Sequence, residues 1–124
     1  MMGYIKHHAI MVVGVGYPEA QKMLRDTHAK AIELFDSLVT PIIQGKVNNY
    51  ETFFIAPDGS KEGWDMSDDY DQRRGELVEY INSLAYDDGS NAVSHMAVWL
   101  DEDGECEIES HYKDGKCVKD GEDE

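Results

Sequence analysis

Asp58, Ser60, Lys61, Trp64 and Ser67 crowd one short stretch of the chain, APDGSKEGWDMS, and they are the residue types that hold a small anion or a nucleotide. Backbone N–H groups at a helix start, a hydroxyl and an ammonium can grip a phosphate or carboxylate, and an indole can stack a base. The same residues also serve a plainer purpose as a turn, a cap and a packed Trp, and the stretch lacks the glycine pattern of a phosphate loop. Arg73 and Arg74 are rare cations in an acidic chain. One of them can reach the acids that precede it and the other can anchor a ligand, with ion pairs to Asp69 or Asp71 as the simpler use. His7 and His8 are neighbours, so on a strand they point to opposite faces and cannot share a metal. His8 can still join Tyr50 or His95 across neighbouring strands as a proton-transfer group. The candidate ligand-binding set is therefore His8, Tyr50, Ser60, Lys61, Ser67, Trp64, Arg73 and Arg74.

His28, His95 and His111 are scattered, so no metal site is expected, and no motif asks for a cofactor. No GxSxG, HExxH, Walker loop or CxxC pair marks a nucleophile, and no catalytic residue is assigned. Glu105, Glu107 and Glu109 alternate along one stretch. On an exposed strand they keep an edge from aggregating, and the same spacing is what an inhibitor that imitates nucleic acid would need.

These residues must be positioned by strands and helices that the hydrophobic pattern predicts. Tyr4 to Val15 is rich in Ile and Val and reads as a central strand ended by Gly14 and Gly16. Pro18 then opens a helix whose apolar face runs through Ala20, Met23, Leu24, Thr27, Ala31, Leu34, Phe35 and Leu38. Val39 to Gln44 contains Pro41 and is expected as an edge strand, joined by Gly45–Asn49 to an aromatic strand, Tyr50 to Ile55, that is read as buried on both faces. Pro57-Asp58-Gly59 is a turn, and a second helix is expected from Asp68 to Ala85 with Gly75 inside it. Val93 to Leu100 and Cys106 to Tyr112 complete the sheet as a hairpin. The order is β-α-β-β-α-β with one extra C-terminal hairpin strand, the order of a ferredoxin-like α+β sandwich, in a single domain over residues 1–112 followed by a frayed acidic tail over 113–124.

Composition narrows the partners. The chain has 124 residues, is 41% apolar and carries a net charge of −15, about half of it beyond Leu100. Such a surface repels phosphate backbones and anionic membranes, so direct nucleic-acid or membrane binding is not expected, while a basic protein would be attracted. Cys106 and Cys117 read as free thiols, and with no signal sequence or apolar span in view the expected location is the cytoplasm.

The opening YIKHHAI, the central NNYETFFIAPDGSKEGW with the following SDD, and the later YDDGS resemble a family of small acidic proteins encoded by bacteriophages and prophages, over most of the chain up to about Leu100. The resemblance implies an accessory protein made in an infected or lysogenic bacterial host, and it carries no mechanism. In that setting the expected job is to sequester a host nucleotide-type defence signal. An acidic inhibitor of a host protein is the alternative, and a small nucleotide hydrolase using His8 or His95 as base is a second. A domain of this size with an aromatic strand is expected to form a homodimer through a sheet face or edge.

Overall fold

Lys6–Gly14 forms β1, the middle of the sheet, because its alternate residues Ile10 and Val12 are wholly buried while β3, Glu51–Ile55, and β4, Val93–Asp101, pair along its two sides. This is seen in a computed structural model, which describes residues 5–113 and 116–119. The remaining elements are the helix α1, Pro18–Phe35, a 3-10 turn at Asp36–Leu38, the short strand β2, Ile43–Gln44, the helix α2, Asp65–Ser83, and the strands β5, Cys106–Lys113, and β6, Lys116–Lys119. All strand pairs are antiparallel, and the six strands lie in the order β2-β3-β1-β4-β5-β6.

Helix α1 begins with Pro18 in its first turn, where a missing N–H costs nothing, and buries Ala20, Leu24, Thr27, Ala31, Leu34 and Phe35. Thr27 satisfies its buried hydroxyl by donating to the Met23 carbonyl at 2.8 Å. The helix lies so close to β1 that a Cβ on Gly14 would sit 3.0 Å from that of Leu24. Helix α2 starts at Asp65, three residues earlier than the sequence pattern places it, since Asp65 and Asp68 both stabilise the positive end of its dipole and Trp64 takes the cap position. Ser67 is consequently an interior, buried helix residue and not a cap.

Both helices cover one face of the sheet. Ile10, Val12, Phe53, Ile55, Val93 and Ala97 point to that side and pack with Leu24, Leu34, Leu77 and Ile81 in one core. Burying side chains of this size stabilises by roughly 1.5–3 kcal/mol each. Among the described residues nothing covers the opposite face. Phe54 and Met11, which pair across β3 and β1, are 41% and 42% exposed, so the aromatic strand is buried on one face and open on the other. Tyr50 precedes the strand.

Two further differences lie at the C-terminal end. Residues 116–119, read from sequence as part of a frayed tail, pair with β5 as a sixth strand, and β5 is therefore an inner strand where an edge was expected. Residues 114–115 and 120–124 of that tail lie outside the described residues. The register of β4 on β5 also shifts by one residue: Ala97 pairs with Ser110 but Val98 with Ile108, leaving Glu109 as an extra residue. An inserted residue of this kind bends the strand and re-aims its side chains.

Candidate functional site

Between α2 and the β1–β4–β5 end of the sheet lies a cavity of about 440 Å³, a volume suited to a small molecule. β1 contributes Lys6 and His8, α2 contributes Asp71, Arg74 and Gly75, β5 contributes Glu109 and Ser110, and the loop before α2 contributes Glu62. Period-two alternation along β1 puts Lys6 and His8 on the same side as the core residues Ile10 and Val12. Gly75 keeps room in the cavity wall, because a Cβ there would meet nothing within 4 Å.

His8 is the centre of the site. Its side chain is only 7% exposed, and its Nδ1–H donates to Glu109 Oε1 at 3.0 Å. That bond fixes the ring and leaves Nε2 directed at Glu62 Oε2, 3.4 Å away, and Asp71 Oδ1, 4.0 Å away, with no hydrogen-bond partner of its own. Burial would push the His8 pKa down, but the Glu109 hydrogen bond and the charges of Glu109 and Asp71 outweigh it, and against a further opposing push from Arg74 the value is raised. Glu109 responds in the complementary way. Burial would raise its pKa, yet its bond to His8 and the nearby positive charges hold it below the ordinary carboxylate value.

Arg74 props the wall beside His8. Nearly buried, it donates from Nη1 to Asp58 Oδ1 at 3.2 Å and from Nη2 to Asp71 Oδ1 at 2.5 Å. Asp58 in turn accepts from the Ser60 N–H at 3.2 Å and from the Ser60 hydroxyl. Burial would raise the Asp58 pKa, but the Ser60 and Arg74 bonds lower it overall. Ser67 donates to Glu62 at 3.3 Å, steadying the carboxylate that faces His8. On the other flank the Lys6 ammonium sits 4.2 Å from the centre of the Trp99 ring, whose N–H donates to Glu107 at 3.1 Å.

The structure thus brings together His8, Arg74, Ser60 and Ser67 from the residues singled out in the sequence, the two serines acting through Asp58 and Glu62 and not as cavity walls. It does not bring in the others. Trp64 is half exposed with the Lys61 ammonium 5.7 Å from its ring centre, and neither lines the cavity although Glu62 lies between them in sequence. Arg73 turns to α1, donating to the Leu34 carbonyl at 2.6 Å and to Asp69 at 3.1 Å. Tyr50 adjoins Glu51, which pairs with Gly14, six residues along β1 from His8 and therefore about 20 Å away. His95 is bonded to Ser110 at 3.0 Å in a buried pair. Glu105, Glu107 and Glu109 do not form one open row, because Glu107 is held by Trp99 and Glu109 turns to His8.

Carboxylates outnumber cations in the cavity, with Glu62, Asp71, Glu79 and Glu109 against Lys6, Arg74 and His8. It therefore disfavours a phosphate and suits a neutral or cationic group rich in N–H donors. Of the cavity walls only His8 and Arg74 were among the candidates read from the sequence, and Lys6, Glu62, Asp71 and Glu109 are among those missed. Lys6 was legible, since it shares the strand face of His8, whereas nothing in the glutamate spacing announces the register shift that turns Glu109 inward.

Fold and site together define a two-layer α+β domain with an antiparallel sheet, two helices on one face, and an acidic, histidine-centred cavity under the second helix. Comparison of the chain with protein-family models, with curated proteins and with solved structures finds no match. Among the described residues no helix is long and apolar enough to cross a membrane, and no group of three or more His, Cys, Asp or Glu side chains could hold a metal ion.

Proposed function

We propose that this chain is a binding protein for a small nucleotide-type ligand, which it holds by the base, in the cavity beneath α2, with the phosphates left toward solvent. The observation that carries this reading is His8: a nearly buried imidazole, locked from behind by Glu109, lines a roomy polar cavity with its Nε2 lacking a hydrogen bond and 3.4 Å from the Glu62 carboxylate. An unsatisfied buried polar atom is costly, and a ligand that bonds it recovers that cost. Glu62 and Asp71 flank the same nitrogen and accept bonds from an N–H-bearing base edge. The strand order β2-β3-β1-β4 with both helices on one face supports a ferredoxin-like core extended by the β5–β6 hairpin. In the phage setting that the sequence resembles, such a protein sequesters a host nucleotide-type defence signal in the bacterial cytoplasm. The Glu109–His8 geometry favours one second reading, a nucleotide hydrolase with His8 as base, since a carboxylate-oriented imidazole is what general-base catalysis uses.

The test is a thermal-shift screen of nucleosides, mononucleotides, cyclic di- and trinucleotides and ADP-ribose derivatives against the wild type, His8→Ala and Gly75→Leu, with each hit chromatographed after incubation and heating. A ligand at 100 times its Kd stabilises by about 2.7 kcal/mol, a shift of several degrees. The expected result is a hit among base-bearing compounds, silence with inorganic phosphate, loss in both variants, and ligand returned intact. Altered ligand moves the assignment to the hydrolase. No hit, or a hit untouched by Gly75→Leu, sinks the cavity as the site.

A further inference from the structure

The sheet face turned away from the helices carries no Asp, Glu, Lys or Arg among its described side chains. Following the pairing, this face is made by alternate residues from His7 to Val13 on β1 and from Ser94 to Leu100 on β4, with Thr52 and Phe54 of β3, Ile43 of β2, and Cys106 and Ile108 of β5. Among the described side chains of the same strands the charged ones, Lys6, Glu51, Asp101, Glu107 and Glu109, lie on the helix side. In a chain that is 30% charged, several charges would fall on a surface of this size by composition alone. Large apolar side chains stand open instead: Leu100 is 52% exposed, and Met11, Phe54 and Ile108 are each more than 40% exposed.

We infer that this uncharged face is an interface between two copies of the chain, packed sheet on sheet. The extent fits. β1 and β4 are nine residues long and β3 five, and β5 has described side chains over residues 106–110, and at about 3.4 Å per residue and 4.8 Å between strands they present roughly 450 Å² in plan. The relief of the side chains lifts the accessible area toward the ~800 Å² per partner of a stable interface. The charge distribution selects a second copy as the occupant. A basic partner would be drawn to the acidic helix side, whereas a neutral face is matched by its own image, and stacking two such faces sends the helix layers of a protein of net charge −15 to opposite outer sides. Met11 and Met96, paired at the centre of the face, are side chains that adapt to a two-fold contact. Sheets packed in this way lie about 10 Å apart with strands near −30°.

The experiment is sedimentation equilibrium of the full chain, wild type and Met11→Glu, with Val47→Glu as an exposed control off the face, each checked by far-UV circular dichroism. The expected result is a wild type and control at twice the chain mass of 14.0 kDa and a folded Met11→Glu at 14.0 kDa. Should Met11→Glu not fold, methionine-methyl NMR of the wild type on dilution replaces it, with the Met11 and Met96 signals shifting as the dimer separates. A wild type that stays at 14.0 kDa, a Met11→Glu dimer as tight as the wild type, or dilution shifts confined to other methionines overturns the inference.

Discussion

Replacing Arg74 by Met keeps most of the side-chain volume and removes the charge between Asp58 and Asp71. Its bond to Asp71 is short, 2.5 Å, and its bond to Asp58 is 3.2 Å, and the two acids differ in what they lose. The Asp58 side chain is 6% exposed and cannot turn to water, whereas that of Asp71 is 46% exposed and can. Breaking a buried pair costs about 3–5 kcal/mol because one charge is stranded, and an exposed pair about 1 kcal/mol or less. Asp58 keeps its two Ser60 bonds, which places the expected loss near the lower end, about 3 kcal/mol. For a domain of this length that is a fall in Tm of about 10–15 °C. Thermal unfolding by circular dichroism at neutral pH measures it, and with Asp58→Asn and the double variant the losses should fall short of additivity by about 2 kcal/mol. The pH dependence gives a second reading of the same pair. Since the folded Asp58 pKa is lowered, its contribution is present above the ordinary carboxylate value and is lost as pH falls through the lowered one. Arg74→Met moves that loss to higher pH. A variant melting within about 2 °C of the wild type, with an unchanged acid limb, would refute the argument that Arg74 holds this wall.

Glu109→Gln keeps a hydrogen-bond acceptor for His8 but removes the charge, so the His8 titration midpoint followed by NMR should fall, and an unmoved midpoint contradicts the dyad. The sign for stability follows: a raised His8 pKa gives stability that is full below the ordinary histidine value and is lost as pH rises through the raised one, a loss that Glu109→Gln should abolish. Gly75→Ala should raise Tm by a few degrees, since it gains about 1 kcal/mol of helix propensity where a Cβ meets nothing. Gly16→Ala should lower Tm, because its Cβ would lie 2.2 Å from the Asn48 carbonyl oxygen, and the reverse order of the two melts would contradict the packing described.

The parts of the fold that sequence predicts are those with an uninterrupted period. The α1 face from Ala20 to Phe35 repeats at helical spacing without a break, and β1 is a nearly continuous apolar run, so both were legible. The start of α2 was not, because Asp65, Ser67 and Asp68 all suit a helix N-terminus and only backbone geometry chooses among them. Phe54 alternates with Phe53 whether one or two layers cover the sheet, so the open face could not be read from β3 alone. At the site, His8 and Arg74 drew notice by type. Their partners lie at separations with no local signature: Glu109 is 101 residues from His8, and Asp58 is 16 from Arg74.

The extra residue at Glu109 has a mechanical side. A regular strand offers one side of a sheet only every second residue, whereas here Glu109 and Ser110, consecutive in the chain, both reach the cavity. β6 pairs with β5 from Ser110 onward, immediately past the shift. The residue that grips the imidazole is thus the one immediately before the β5–β6 ladder begins, so the same extra residue that seats Glu109 against His8 also marks where the hairpin starts.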